Sequence, residues 1–194
     1  MEDIREKARK KMLPFATVLV IDSSGSISQE KMERLKGAAL SFIREGYLKR
    51  DKIGLITFRN HRAEQLMPIC SRAYSKQAER YIEGLPSGGG TPLASGLIEA
   101  LHLLVNEKRK CKGVIPIIML LSDGKANIPT SNKRPVFDEI KLILKKLSWE
   151  KVFLIFVDTD LDDDMGVSNT SYATIRNLLK REAWLSLSIY NYEG

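Results

Sequence analysis

The sequence predicts a doubly wound α/β fold with a mostly parallel sheet, one antiparallel edge strand and helices on both faces. Four continuous apolar runs rich in β-branched residues are typical of strands that are covered on both faces. Between them lie stretches with an apolar residue at every third or fourth position, which is the pattern of an amphipathic helix. This alternation of strands and helices indicates an α/β sheet with right-handed crossovers.

Each element is assigned from its own pattern. The four apolar runs are residues 16–21, 53–58, 114–121 and 152–157. The helical stripes lie in residues 32–43, 93–105, 136–147 and 175–179. Residues 63–69 are also strand-like, but they follow Phe58 too closely for a crossover helix to intervene. That segment should therefore pair antiparallel, and Pro68 within it favours the edge of the sheet.

Composition indicates one globular domain. The chain has 194 residues, of which 43% are hydrophobic and 28% charged, so we assign residues 15–194 to a single domain after a basic lead-in helix, 1–14. The net charge is +7, but the basic residues are scattered, and the densest cluster, at 108–112, follows a helical pattern. Cations suit the negative end of a helix. We therefore expect no nucleic-acid partner.

The cysteines and the N-terminus indicate the compartment. Cys70 and Cys111 are far apart and form neither a CxxC pair nor a disulfide framework, which fits a reducing environment. The stretch MEDIREKARKKMLP carries charges throughout, unlike a signal peptide, and no run reaches about 18 uninterrupted apolar residues. We expect a cytoplasmic protein with no membrane partner.

Three loops with small polar residues should meet at one edge of the sheet. VIDSSGSIS contains the end of the first strand and the loop after it, LPSGGGTPLASGL leads into the helix at 93–105, and LLSDGKANIP ends the run at 114–121. Ligands of open α/β sheets bind in the crevice beyond the carboxyl ends of the strands. The candidate ligand residues are Asp22, Ser24, Ser26, Thr91 and Asp123.

The chemistry of this set favours a hard divalent cation. Hydroxyls and carboxylates without thiolate or imidazole suit Mg²⁺ in particular. Because Ser24 and Ser26 are two residues apart, a curved loop can turn both hydroxyls inward while Ser23 and Gly25 face away. Because these residues supply at most five ligands, one octahedral position is left for water or for a carboxylate of a partner. Since only two ligands are charged, the ion could still attract an acidic group.

A purely structural explanation exists for each residue alone. Ser26 with Gln29 resembles a capping box, Ser28 is another N-cap candidate, and Thr91 before Pro92 fits an N-cap followed by proline at the first helical position. The Asp-Gly pair at 123–124 is a common turn. Capping does not, however, require an aspartate at the end of the first strand and another at the end of the fourth apolar run. The combination therefore favours a metal site.

The D-x-S-x-S, T and D combination resembles the complete metal-ion-dependent adhesion site of von Willebrand factor A domains, over residues 4–189. Asp22, Ser24 and Ser26 match its first motif, Thr91 the second and Asp123 the third. The resemblance implies a six-stranded Rossmann-like sheet and a bound Mg²⁺ or Mn²⁺. It also implies that a Glu or Asp of another protein completes the metal coordination.

The chain is most similar to the C-terminal A-domain of the D-type subunits of magnesium and cobalt chelatases, in the segments DKIGLITFRNHRAE, GGGTPLASGL and LSDGKANIP. It differs at Lys125, where that family usually has Arg. This resemblance implies a non-catalytic coupler between a hexameric AAA+ ATPase and a large porphyrin- or corrin-binding subunit, in tetrapyrrole or cobalamin biosynthesis. No GxxxxGK[ST] loop is present, so we do not expect ATP binding by this chain.

Two other functions stay open. The domain could serve an unrelated AAA+ system. It could also be a metal-dependent hydrolase, but an aspartate nucleophile would need a second Asp two residues on, where this chain has Ser24. His61 and His102 are poor candidates for the base of a serine nucleophile, because one lies in a short turn and the other in a leucine-rich helix.

The acidic stretch DTDLDDDMG, from Asp158, should reach the same edge of the sheet. It does not fit an EF-hand, since Asp163 and Asn169 stand at the sixth and twelfth positions. We expect a solvated acidic loop over 158–164.

Overall fold

A computed structural model describes residues 13–49, 51–70, 75–131, 133–160 and 171–188. The strands are β1 Phe15–Asp22, β2 Lys52–Arg59, β3 Arg62–Cys70, β4 Ile115–Ser122, β5 Phe153–Asp158 and β6 Leu185–Ser188. The helices are α1 Gln29–Lys49, α2 Ser75–Glu83, α3 Leu93–Lys110, α4 Val136–Trp149 and α5 Ser171–Glu182. The five predicted strands and the four helices predicted from apolar stripes each overlap an observed element.

The six strands form one sheet in the order β3-β2-β1-β4-β5-β6. All neighbouring strands are parallel except β3, which runs antiparallel to β2, with Phe58 opposite Ala63 and Arg59 opposite Arg62. The predicted mostly parallel sheet with one antiparallel edge strand is confirmed. Pro68 lies in β3, where an edge position tolerates its missing N–H.

The sheet is covered on both faces, which explains the lack of polar alternation in its central strands. Along β1, Val18 and Val20 point to the core shared with α3, α4 and α5. Leu19 and Ile21 point to the opposite core, which contains side chains of α1 and α2. Successive side chains of a strand alternate between faces, so each central strand supplies both cores.

The strand order creates a crevice between β1 and β4. The chain leaves β1 toward α1 on one face, whereas it leaves β4 toward α4 on the other. At such a switch point the two connections diverge and leave room for a ligand at the carboxyl edge of the sheet. Asp22 ends β1 and Asp123 follows the last residue of β4, so both carboxylates lie beside this crevice.

Two elements have no counterpart among the sequence predictions. Helix α2 has only nine residues, and all four residues of β6 are exposed, so neither has a long buried pattern. The lead-in helix predicted for 1–14 lies outside the described residues except for Leu13 and Pro14, which are not helical. Among the helices that the structure describes, none combines the length and apolarity needed to cross a bilayer.

Candidate metal centre

Asp22 has a fully buried carboxylate at the end of β1. The backbone N–H of Ser24 donates to its Oδ1 at 3.0 Å, and the hydroxyl of Ser122 donates to its Oδ2 at 2.7 Å. Burial raises the pKa of Asp22 to about 6; hydrogen bonds from Ser24 and Ser122 oppose this rise, and the charge of Asp123 adds to it. The protein therefore holds a carboxylate where its negative charge is poorly solvated.

The loop after β1 presents its hydroxyls in two directions. The Oγ atoms of Ser24 and Ser26 lie 2.9 Å apart, as the alternation predicted. Ser23 instead turns to β2, where its hydroxyl is 2.9 Å from that of Thr57. The structure thus brings Ser24 and Ser26 together next to Asp22 and uses Ser23 to attach the loop to the neighbouring strand.

The glycine-rich segment before α3 packs directly on this loop. Gly25 N–H donates to the carbonyl of Gly89 at 2.9 Å, and Gly88 N–H donates to that of Ser23 at 3.0 Å. Gly89 has a φ of +85°, and a Cβ there would lie 1.8 Å from the side-chain oxygen of Asn60. Glycine is required at this position, because a side chain would be both strained and blocked. The segment therefore fixes the approach of Thr91 to the serine loop.

Thr91 is buried and is held by the loop that follows β4. Its N–H donates to Oδ1 of Asn127 at 2.7 Å, and its carbonyl accepts from the N–H of Asn127 at 3.2 Å. The alternative N-cap explanation for Thr91 does not hold, because α3 begins at Leu93 and Pro92 occupies the N-cap without a side-chain bond. In α1, by contrast, Ser28 accepts from the N–H of Lys31 at 3.3 Å and is the cap.

Asp123 contributes the second buried carboxylate. Its Oδ1 accepts the N–H of Lys125 at 3.0 Å. Its Oδ2 is buried and has no hydrogen-bond partner among the described residues. The ammonium of Lys125 lies 3.6 Å from that oxygen, which is too far for a hydrogen bond. A buried carboxylate oxygen without a hydrogen bond is costly, so it favours a site for a cation.

The residues present fit a hard cation. Two buried carboxylates and three hydroxyl-bearing residues at the sheet edge give an all-oxygen set of the kind that Mg²⁺ accepts. Within the described ranges, no group of three or more His, Cys, Asp or Glu side chains could hold a metal ion. That agrees with the composition of this set, which contains only two carboxylates, Asp22 and Asp123.

The solvated acidic loop expected from Asp158 onward is wrong for Asp158 and Asp160, which are largely buried and ion-paired. Asp158 is fully buried, and its Oδ2 accepts a hydrogen bond from Nε of Arg176 at 2.8 Å. The ammonium of Lys180 lies 2.9 Å from the same oxygen. Asp160 lies 2.5 Å from the ammonium of Lys31 and 2.9 Å from that of Lys125. Buried carboxylates need such cations, and their partners come from other elements. The rest of the stretch, 161–164, lies outside the described residues.

Opposing effects act on the pKa of Asp160. Burial raises this pKa, but hydrogen bonds from Lys31 and Lys125 outweigh it and bring the value to about 2. Burial lowers the pKa of Lys125, whereas Asp160 and Asp123 raise it and prevail. Asp160 is therefore ionised at neutral pH and paired with Lys31 and Lys125.

Two supporting residues were missed in the sequence. Ser122 donates to Asp22, and Asn127 holds Thr91. A serine at the end of a buried apolar strand was a detectable signal, because a buried hydroxyl needs a partner. Asn127 carried no such signal, since its role depends on the position of the loop before α3.

Comparison with known proteins agrees with this architecture. The family described as von Willebrand factor type A domain matches residues 17–125. The chain is 33% identical over 160 residues to the magnesium-chelatase 60 kDa subunit of Rhodobacter capsulatus, covering 81% of this chain and 28% of that protein. It is 34% identical over 164 residues to the magnesium-chelatase 67 kDa subunit of Heliobacterium mobile, covering 81% and 24%.

A solved structure gives the same fold. The von Willebrand factor type A protein from Catenulispora acidiphila superimposes with a TM-score of 0.57 at 15% identity, covering 75% of this chain and 33% of that one. The chain spans about a quarter of the length of the two chelatase subunits that it matches. On its sequence match and its fold, the chain belongs to the von Willebrand factor type A domain family.

Proposed function

We propose that this domain binds Mg²⁺, or Mn²⁺, and uses the ion to capture an acidic side chain of another protein. The ligands would come from the loops after β1 and β4 and from the segment before α3. They are Asp22, Ser24, Ser26, Thr91 and Asp123. The bound ion would supply a concentrated positive charge that accepts a Glu or Asp carboxylate.

The observation that carries this proposal is the buried Oδ2 of Asp123, which has no hydrogen-bond partner within the described chain. A second buried carboxylate, Asp22, lies close enough for the charge of Asp123 to raise its pKa. Two carboxylates in one buried place repel each other unless a cation or a proton lies between them. A divalent cation satisfies both at neutral pH.

The division between charged and neutral ligands explains how the ion could bind a partner. Asp22 and Asp123 would balance the charge of a dication, while Ser24, Ser26 and Thr91 would add neutral oxygens. Mg²⁺ prefers octahedral coordination and keeps some positions for water or for an external ligand. In a buried site the attraction between the ion and an incoming carboxylate is weakly screened.

We further propose that the partner is a component of a magnesium- or cobalt-chelatase-type assembly. The support is the similarity to the magnesium-chelatase 60 kDa and 67 kDa subunits over 81% of this chain. In such an assembly, in the cytoplasm, the domain would couple an AAA+ ATPase to a large porphyrin- or corrin-binding subunit. A different AAA+ system is the alternative client.

Metal binding is tested by titrating Mg²⁺ into the purified domain in a calorimeter. Asp123→Asn should abolish binding, because it removes one of the two charged ligands and keeps the shape. Asp138→Asn is the matched control, since Asp138 is exposed in the first turn of α4. Equal Mg²⁺ affinity for the wild-type protein and Asp123→Asn would reject the site.

Partner capture is tested by affinity purification from the native cell with Mg²⁺ or with EDTA. The wild-type domain with Mg²⁺ should retain an ATPase subunit and a porphyrin- or corrin-binding subunit, whereas Asp123→Asn should not. Recovery of an unrelated ATPase alone would favour the alternative client.

A screen with phosphatase and esterase substrates tests the hydrolase alternative. Turnover by the wild-type domain that Asp123→Asn abolishes would support a hydrolase.

A further inference from the structure

Lys125 is placed over the candidate metal centre by its own backbone. Its N–H donates to Oδ1 of Asp123, and its ammonium lies 3.6 Å from Oδ2 of that residue and 2.9 Å from Oδ2 of Asp160. The side chain is 41% exposed, whereas that of Asp123 is fully buried. The ammonium of Lys125 therefore lies between the buried carboxylate and solvent, at the mouth of the site.

Lys125 can turn toward an incoming anion at little cost to the acidic residues beside it. Asp160 is also paired with Lys31 at 2.5 Å, so it keeps a cation when Lys125 moves. Asp123 would be compensated by the metal ion. A lysine has a flexible four-carbon stem and three donors, so its head can shift by a few ångströms without moving the backbone.

A carboxylate that coordinates a metal through one oxygen has a second oxygen that needs a donor. The ligand set of the site consists of carboxylates and hydroxyls, none of which carries positive charge. Lys125 supplies a cation at the mouth, where that second oxygen would arrive. Charge-assisted bonds of this kind are stronger than bonds between neutral groups.

We propose that Lys125 is a second recognition residue for the partner, so that the metal ion takes one oxygen of the acidic side chain and the ammonium of Lys125 takes the other. This inference rests on the proposed function. It identifies the ligand as a carboxylate whose two oxygens are both bound. It also makes Lys125 a residue that favours binding of an anionic carboxylate over binding of a neutral amide.

The proposal predicts opposite effects on the two binding steps. The ammonium repels a dication close to it, so Lys125→Met should bind Mg²⁺ roughly threefold more tightly. The same change removes a donor to the carboxylate, so a carboxylate probe should bind roughly threefold to tenfold more weakly. A residue that only supports the fold would weaken both steps.

The experiment is an NMR titration of the ¹⁵N-labelled domain, saturated with Mg²⁺, with N-acetylglutamate N-methylamide. The neutral glutamine analogue is the control ligand. Lys180→Met is the matched control variant, because Lys180 is 35% exposed and pairs at the same edge with Asp158, which keeps Arg176. Lys125→Arg should retain affinity within about twofold, since it keeps the charge.

The results separate this inference from the function on which it rests. The expected pattern is weaker probe binding in Lys125→Met, with no loss of Mg²⁺ affinity and no change in Lys180→Met. If Lys125→Met binds the probe as the wild-type protein does, or more tightly, Lys125 has no such role although the metal site stands. If the wild-type domain binds no Mg²⁺, both the inference and the proposed function fail.

Discussion

The hydroxyl of Ser122 donates a hydrogen bond of 2.7 Å to the carboxylate of Asp22, although the two residues are 100 positions apart in the chain. Ser122 also accepts the N–H of Gly124 at 3.0 Å. It therefore connects the ends of β1 and β4 with the turn that carries Asp123. The two charged residues of the candidate metal centre are held in one hydrogen-bonded unit.

Replacing Ser122 with alanine should lower the free energy of unfolding by about 2 kcal/mol, because a buried carboxylate loses a donor and a buried N–H loses its acceptor. Urea unfolding measures the change. Ser186→Ala, at an exposed serine of β6, is the control and should change stability by less than about 0.5 kcal/mol. Equal stability of the two variants would contradict this account of Ser122.

The sheet could be predicted from the sequence because its central strands are long buried runs with little local ambiguity. The short connection between Phe58 and Ala63 also determined that β3 is antiparallel. Helix α2 and strand β6 were missed because they are short and their packing depends on neighbouring elements. Patterns of local hydrophobicity carry little information about such segments.

Part of the candidate metal centre could also be predicted, from the topology of the sheet and not from hydrophobic patterns. Strand ends and the switch-point rule predicted that Asp22 and Asp123 would lie near each other, and the electrostatic effect of one on the pKa of the other agrees. The pairing of Asp158 with Arg176 was not predictable, since it joins residues from two elements. Acidic composition alone therefore predicts a solvated loop where the structure has a buried ion pair.

Mg²⁺ binding should weaken as the pH falls through about 6. Burial raises the pKa of Asp22 to about 6, and a protonated carboxylate must lose its proton before it can bind a cation. Affinity should fall about tenfold for each pH unit below that value. Calorimetric titrations at several pH values measure this, and Asp138→Asn should show the same dependence. A flat profile between pH of about 5 and 7 would contradict a titrating ligand.

The raised pKa of Asp22 also makes the stability of the metal-free protein depend on pH. The pKa of Asp22 is about 6 in the folded protein, whereas the unfolded chain has the ordinary value of 3.8. The folded protein therefore binds this proton more tightly. Its contribution to stability is therefore fully present below about pH 4 and is lost as the pH rises to about 6. Urea unfolding in EDTA should show that Asp22→Asn reduces this loss, and an unchanged pH profile in that variant would contradict the assignment.

Gly90→Ala should destabilise the protein by about 1–3 kcal/mol and weaken Mg²⁺ binding, because the added Cβ has no room. It would lie 2.8 Å from the backbone oxygen of Asn60 and 2.7 Å from Cγ1 of Ile128, so the segment that carries Thr91 must move. The control is Gly37→Ala. Gly37 lies in α1, where an added methyl group would meet nothing within 4 Å, so alanine there should stabilise the helix by about 0.5–1 kcal/mol. Thermal unfolding and Mg²⁺ titration of both variants distinguish these outcomes, and equal effects would contradict the contact.

Arg176→Met should lower the free energy of unfolding by about 3 kcal/mol, since breaking a buried ion pair leaves a charge without its main partner. The guanidinium contacts Oδ2 of Asp158 at 2.7 Å, and Asp158 is fully buried, so Lys180 would be its remaining cation among the described residues. Arg181→Met is the control, because Arg181 is 70% exposed and should cost less than about 1 kcal/mol. Adding Asp158→Asn to Arg176→Met removes the buried charge and should recover at least about half of the loss. If the double variant is no more stable than Arg176→Met alone, the loss comes from other contacts of the guanidinium, such as its hydrogen bond to the carbonyl of Asp160, and not from the ion pair.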